Sequence, residues 1–188
     1  MVTEAGRRGR WSVCVYCSSG TTDAPSLALA GAIGAEIGRR GWLLVSGGGN
    51  VAMMGELVQA ARAAGGRTLG VIPHSLVHRE LADTDSHELV VTETMRERKQ
   101  IMEDRSDAFV ILPGGLGTLE EMFEIWTGSL LGMHDKPVVV LDPHGHYDGL
   151  MDWLKTLVAN GFVSQYGLDL VTVTTTVGDA LAATVRAS

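Results

Sequence analysis

The 188-residue chain sets 22 Asp and Glu against 15 Lys and Arg, a formal net charge of −7, so it has no general electrostatic attraction for nucleic acid or an anionic membrane. A chain of this length buries roughly 70% of its unfolded surface, enough for a core without disulfide staples. Both cysteines stand in Cys14-Val15-Tyr16-Cys17, no apolar stretch follows the arginines of MVTEAGRRGRW, and the strongest apolar runs are strand-sized; the expectation is a cytoplasmic protein with no leader and no membrane span.

Residues 1–10 read as a flexible tail and residues 11–188 as a single nucleotide-binding α/β domain. In chain order, the strand candidate SVCVYC precedes the helical pattern PSLALAGAIGAEIGRR, and WLLVSG precedes AMMGELVQAARAAG. TLGVIP and ELVVT follow, then the helix ETMRERKQIMEDRS. AFVILPG leads into GTLEEMFEIWTGSLLG, PVVVLD into YDGLMDWLKTLVANG, and LVTVT closes the series. Short β-branched runs alternating with apolar spacings of three and four residues predict an α/β, Rossmann-like doubly wound fold. Its sheet should be mostly parallel, of about seven strands, with helices on both faces. Ligands of such folds lie at the carboxyl ends of the strands.

Two of those ends are glycine-rich: Trp42 to Gly55, WLLVSGGGNVAMMG, and Ala108 to Glu121, AFVILPGGLGTLEE. Glycine lets the backbone approach a ligand closely, and a helix start offers free N–H groups to a phosphate. Gly48 and Gly49 in the first loop, and Gly115, Leu116, Gly117 and Thr118 in the second, are therefore candidate phosphate or nucleotide contacts; the alternative is a pair of tight turns. Neither loop suits a dinucleotide. The strand after the first ends GVIPH without an acid for the ribose, and Glu120 takes the third glycine position of the second. The G-K-[ST] ending of a P-loop is missing too, so a mononucleotide is the better expectation.

Thr118-x-x-Glu121 has the spacing of a capping box. Acids beside an anion-binding loop call for a cation. Met95, Arg98, Met102 and Arg105 recur at three- and four-residue steps, which sets Arg98 on the inward face of its helix. Arg98 then either snorkels and pairs at the surface or enters the crevice of the glycine loops.

MRERKQIM (Met95 to Met102) followed by PGGLGTLEE (Pro113 to Glu121), with SGGGNVAMMG upstream, resembles the LOG family, the cytokinin riboside 5′-monophosphate phosphoribohydrolases, often labelled lysine decarboxylase-like. The resemblance runs from about Val13 to Val173. It implies a homodimer that cleaves the N-glycosidic bond of N6-modified adenosine 5′-monophosphates, with AMP or isopentenyladenosine monophosphate as substrate and no metal or organic cofactor. By matching motif it points to Arg98 and Glu121 as catalytic. Lys99, the loop from Gly115 to Glu121 with Glu120 in it, Glu80, and Thr127, one to two turns into the following helix, are implied to bind substrate. The chain departs from the family pattern at Ser18 and Ala52, where glycine is frequent, and at Met53.

Loss of a purine builds positive charge on the ribose, which a carboxylate stabilises. The start of a helix is expected to keep Glu121 ionised, and Arg98, which does not titrate usefully, to neutralise and position. The competing reading is a non-catalytic nucleotide sensor or carrier of the same fold. A third is an oligomeric scaffold using Met122 to Met133, MFEIWTGSLLGM. Cys14 and Cys17 fall on opposite faces of a strand. His144 and His146 read as turn residues, and Asp142 more readily as a local turn bond than as a ribose or loop-ordering contact. Of the three lysines, Lys99, Lys136 and Lys155, only Lys99 lies near the expected site, which argues against Schiff-base chemistry with pyridoxal phosphate.

Overall fold

Each strand of the structure sits on one of the apolar runs. The computed structural model describes residues 10–20 and 23–185, so the expected tail, Arg10 excepted, lies outside the described residues. The elements are β1 (Ser12–Tyr16), α1 (Ala24–Arg39), β2 (Leu43–Ser46), α2 (Ala52–Ala63), β3 (Arg67–Pro73), β4 (Glu88–Thr92), α3 (Met95–Asp104), β5 (Ala108–Ile111), α4 (Leu116–Leu130), β6 (Val138–Leu141), α5 (Asp148–Ala159), α6 (Gln165–Asp169), β7 (Val171–Thr174) and α7 (Val177–Ala183). A short 3₁₀ turn, His74–Leu76, interrupts the β3–β4 connection. This turn, α6 and α7 escaped the sequence reading: segments of three to seven residues are too short to show a helical period.

The seven strands form one sheet in the order β4-β3-β2-β1-β5-β6-β7. Every pairing is parallel, with Cys14 beside Val45 on one side and Phe109 on the other. The fold is Rossmann-like, as expected. Its strand order reverses between β1 and β5, and at such a switch the loops leave opposite faces and open a crevice beyond the carboxyl ends. β1 is wholly buried and shows the reason for two layers of helix. Val13, Val15 and Cys17 pack on the face covered by α1, α2 and α7, with Ile33, Leu57 and Leu181. Cys14 and Tyr16 pack on the other face, with Met102 of α3, Met122 of α4 and Leu154 of α5. The two cysteines thus lie in different cores and are free thiols, as the period of two requires.

Among the described residues four helices carry side-chain caps: Asp23 accepts from Ser26 N at 3.0 Å at the start of α1, Thr94 from Glu97 N at 3.1 Å at the start of α3, Ser164 from Gly167 N at 3.0 Å at the start of α6, and Thr176 from Asp179 N at 3.1 Å at the start of α7. Glu97 in turn accepts from Glu93 N at 3.0 Å. Among the described residues no helix is long and apolar enough to cross a membrane.

The departure at Ala52 has a measurable cost. Its φ is 46°, the left-handed region, which disfavours an L side chain by about 1–2 kcal/mol and admits glycine freely. After the greater entropy lost by glycine on folding, Ala52→Gly is expected to raise the unfolding free energy by up to about 1 kcal/mol in urea titration. A loss of stability would show that the left-handed turn costs nothing.

Candidate active site

β5 ends in the loop 112–115, and α4 starts at once. Gly115 is the residue before the helix and no side chain caps it, so the capping box expected from Thr118 and Glu121 does not form. Helix α4 begins three residues earlier than that pattern required, after Gly115 and not after Thr118. Thr118, third in the helix, is buried with its hydroxyl over Gly114, and Glu121 lies in the second turn facing inward. The T-x-x-E cap of this chain is instead Thr94 to Glu97, one helix upstream. With no side chain occupying them, the first N–H groups of α4 remain available to an anion. Gly115, Leu116 and Gly117 are exposed, Leu116 at 86%.

Arg98 does not snorkel. On α3 it is 6% exposed, its Nε donates to the Val71 carbonyl at 3.1 Å and its Nη2 to the Gly47 carbonyl at 3.5 Å. A side chain at Gly47 would collide with the guanidinium, so that glycine makes the approach possible. The remaining face of Arg98 meets Glu121, with Nη1 3.2 Å from Oε1.

Burial pushes the Glu121 carboxyl up to about 7, against the pull of Arg98 and with further upward pressure from Glu120 and Glu80. The expectation that the helix start holds Glu121 ionised is corrected accordingly: the helix field fades within the first turn, and Glu121 lies beyond it in a desolvated position. Glu80 stands close by in the β3–β4 connection. Burial raises its carboxyl despite Arg98 and Arg79, and its Oε2 is buried without a partner.

The first glycine loop works from behind. Gly47, Gly48 and Gly49 are buried. Gly48, at φ 76°, packs against Val71 and Ile72, and Gly49 against Met54 and Glu80. The Gly48 carbonyl accepts from Asp83 N at 2.8 Å, and the Glu80 carbonyl from Asn50 N at 3.0 Å. Asp83, fully buried, also binds Arg62 of α2 and the Ser86 hydroxyl. This loop seats Arg98 and Glu80 and presents no open row of amides. Asp83 and Arg62 are separated by 21 positions, and no local pattern announces their pairing.

Lys99 points elsewhere on α3 and lies between Glu120 and Glu124 of α4, with the latter at 2.7 Å. Thr127 is exposed and, eleven positions after Leu116, stands about 16 Å along the axis from the start of α4, three turns in rather than one or two. The structure therefore gathers Glu80, Arg98 and Glu121 beside the amides of Gly115 to Thr118, with Lys99 and Glu120 at the rim and Thr127 apart. From the other side, Asp142 accepts the backbone N–H groups of His146 and Tyr147, four and five positions on, at 2.9 and 2.7 Å, the local turn bonding expected of it. Among the described residues no three His, Cys, Asp or Glu side chains form a metal-binding group.

A family model described as "Possible lysine decarboxylase" matches residues 54–184. A Mycobacterium marinum protein named cytokinin riboside 5′-monophosphate phosphoribohydrolase is 56% identical over 183 residues, 97% of this chain and 98% of that protein. The chain belongs to the LOG family. A Mycobacterium tuberculosis relative of the same name shares 57% identity over 175 residues, 93% of this LOG chain and 94% of its own. Among solved structures, a molybdenum cofactor carrier protein from Chlamydomonas reinhardtii superposes with a TM-score of 0.68 at 26% identity, covering 93% of this chain and 96% of that one.

The lysines of this LOG chain do not suit pyridoxal phosphate. A Schiff-base lysine must shed its proton. Burial pulls Lys99 down, but its bonds to Glu120 and Glu124 outweigh that and hold it above the usual lysine value. Lys136 donates to the Glu103 carbonyl at 2.6 Å, and Lys155 pairs on the surface with Asp152, which raises it.

The raised Glu121 carboxyl is readable as a pH effect. Protonation of Glu121 favours the folded state: this stabilisation is full below the ordinary carboxyl pKa near 4.5 and is lost as pH rises through about 7. Between pH 5 and pH 8 the stability difference between Glu121→Gln and the parent should move in the variant's favour, by on the order of 2 kcal/mol. Urea titration at both pH values checks this; a flat difference would show Glu121 ionising as a solvated carboxylate.

Proposed function

We propose that this chain hydrolyses the N-glycosidic bond of N6-modified adenosine 5′-monophosphates, and of AMP, releasing the free base and ribose 5-phosphate. The names of the two mycobacterial relatives support the reaction. The observation that carries it is the buried Arg98–Glu121 pair behind an uncapped helix start. Glu121 follows Leu116 by five residues, about 7 Å along the axis, so a phosphate on the Gly115 to Thr118 amides leaves the ribose beside the carboxylate.

In this reading water attacks C1′, the C1′–N9 bond breaks, its electron pair leaves with the purine, and the proton given up by the water is in net the one the purine gains. A carboxyl titrating near neutrality is matched to taking a proton from that water, and its ionised form stabilises the positive ribose ring. Arg98 holds Glu121 in place and offsets its charge once ionised. The unpartnered Oε2 of Glu80 suits a ribose hydroxyl. Lys99 and Glu120 bind at the rim, and Gly48 and Gly49 act through Arg98 and Glu80.

Thr127 fits the reading through a homodimer in which it serves a second copy. Support comes from the exposed apolar Leu130 at the end of the same helix and from Leu131 and Met133 just beyond it. The likeness to a cofactor carrier favours a second reading, a nucleotide-binding carrier without catalysis. A carrier has no use for a buried carboxyl poised near neutrality against an arginine.

Purified protein incubated with AMP, isopentenyladenosine monophosphate and the unphosphorylated riboside, followed by chromatography, is expected to release base from the monophosphates alone. Glu121→Gln should lower kcat by about 10² or more while AMP still binds. Binding without release in the parent would select the carrier. In sedimentation velocity the parent should run as a dimer and Leu131→Glu as a folded monomer; a monomeric parent would remove the role given to Thr127.

A further inference from the structure

The mechanism above makes no use of His146, an exposed side chain in the β6–α5 loop at the carboxyl end of the sheet. Its Nε2 lies 2.9 Å from the Gly114 carbonyl. A carbonyl oxygen can only accept, so Nε2 carries the proton. The neighbouring Tyr147 hydroxyl donates to the Leu112 carbonyl at 2.8 Å, and the two rings meet edge to face with centroids 4.6 Å apart. Burial keeps the Tyr147 phenol well above its usual range, with the Gly114 backbone pulling it down less strongly, so the tyrosine stays a donor. Asp142 holds the backbone N–H groups of both residues. The β6–α5 loop thus grips the glycine loop by two carbonyls, one on each side of Pro113 and Gly114.

The consequence follows from peptide geometry. A trans peptide unit is planar, and its N–H points opposite to its C=O. The unit that joins Gly114 to Gly115 therefore has its Gly115 N–H directed away from His146 once the Gly114 carbonyl is tied to the imidazole. Gly115 is the residue just before α4, no side chain caps the helix there, and the space beside its Cα is open, so no packing fixes its orientation. Without the tie, the Gly114–Gly115 unit is free to turn and its N–H leaves the direction of the other α4 amides.

We propose that His146 is a positioning residue for a phosphomonoester: its bond to the Gly114 carbonyl aims the Gly115 N–H at the phosphate held on the start of α4. The inference rests on the functional reading above only in placing a phosphate there, not in the hydrolysis. It separates the phosphate from the rest of the nucleotide, since His146 touches neither Glu80, Arg98 nor Glu121.

Calorimetric titration of the full-length protein with AMP and with adenosine tests this, alongside steady-state kinetics and thermal melting. For His146→Ala the expected result is AMP affinity weakened about tenfold with adenosine affinity within twofold of the parent, an increase in KM larger than any fall in kcat, and an unchanged melting temperature. His146→Gln, which restores an N–H donor, should recover most of the loss. The proposal falls if AMP and adenosine weaken together, if neither weakens, or if Gln behaves as Ala. It falls also if the parent binds AMP no more tightly than adenosine, because no phosphate contact then exists to be aimed. A parent that prefers AMP, loses that preference in His146→Ala, and releases no base would uphold the positioning role and overturn the hydrolase reading instead.

Discussion

An arginine and a glutamate meeting at 3.2 Å with side chains 8% and 10% exposed set the terms for this site. Removing both charges from water costs several kcal/mol per ion unless the remaining donors and acceptors are satisfied. Arg98 is therefore given two backbone carbonyls besides Glu121, and the chain supplies them from β3 and from the turn after β2. Glu121 has no such wealth of donors, and its carboxyl moves toward neutrality. The asymmetry is chemically useful: a permanently charged partner sits against one that titrates near pH 7.

Both glycine-rich turns serve this pair, in opposite ways. The turn after β2 is buried and inward-looking. Its glycines leave room for a guanidinium at Gly47, a strand at Gly48 and the Glu80 backbone at Gly49. The turn after β5 is exposed and outward-looking, and its helix is left uncapped. Similar composition thus gives a socket for side chains in one place and a set of free amides in the other. The difference lies in what packs against each turn: the β3–β4 connection closes over the first, with Asp83 bonded to Gly48 and to Arg62, while the β6–α5 loop takes hold of the second by its backbone, at the Leu112 and Gly114 carbonyls and at Gly114 itself.

The capping box shows where a local pattern misleads. Thr118-x-x-Glu121 and Thr94-x-x-Glu97 have the same spacing, yet only the second caps a helix. The backbone of Gly115 already makes the turn into α4, so the helix begins before Thr118 and carries Glu121 round to the buried face. Arg98 was legible as an inward residue because its spacing from Met95 and Met102 is helical. Its carbonyl partners were not, lying 27 and 51 positions away. Asp83 and Tyr147 escaped for the same reason, and His146 was legible only as a turn residue, since each acts on a neighbouring loop.

Sequence alone determined the alternation of strands and helices, the parallel sheet, the opposite faces of Cys14 and Cys17, and the chemical kinds of group at the site. These follow from periods of two and 3.6 and from glycine's freedom, which are properties of a few adjacent residues. Tertiary structure decided which carboxylate is desolvated, which glycines are filled from outside, and which cation is held by other acids. Those outcomes depend on distances between segments far apart in the chain, and burial, the strongest influence on the Glu121 carboxyl, exists only once the sheet and its two layers of helix have closed around it.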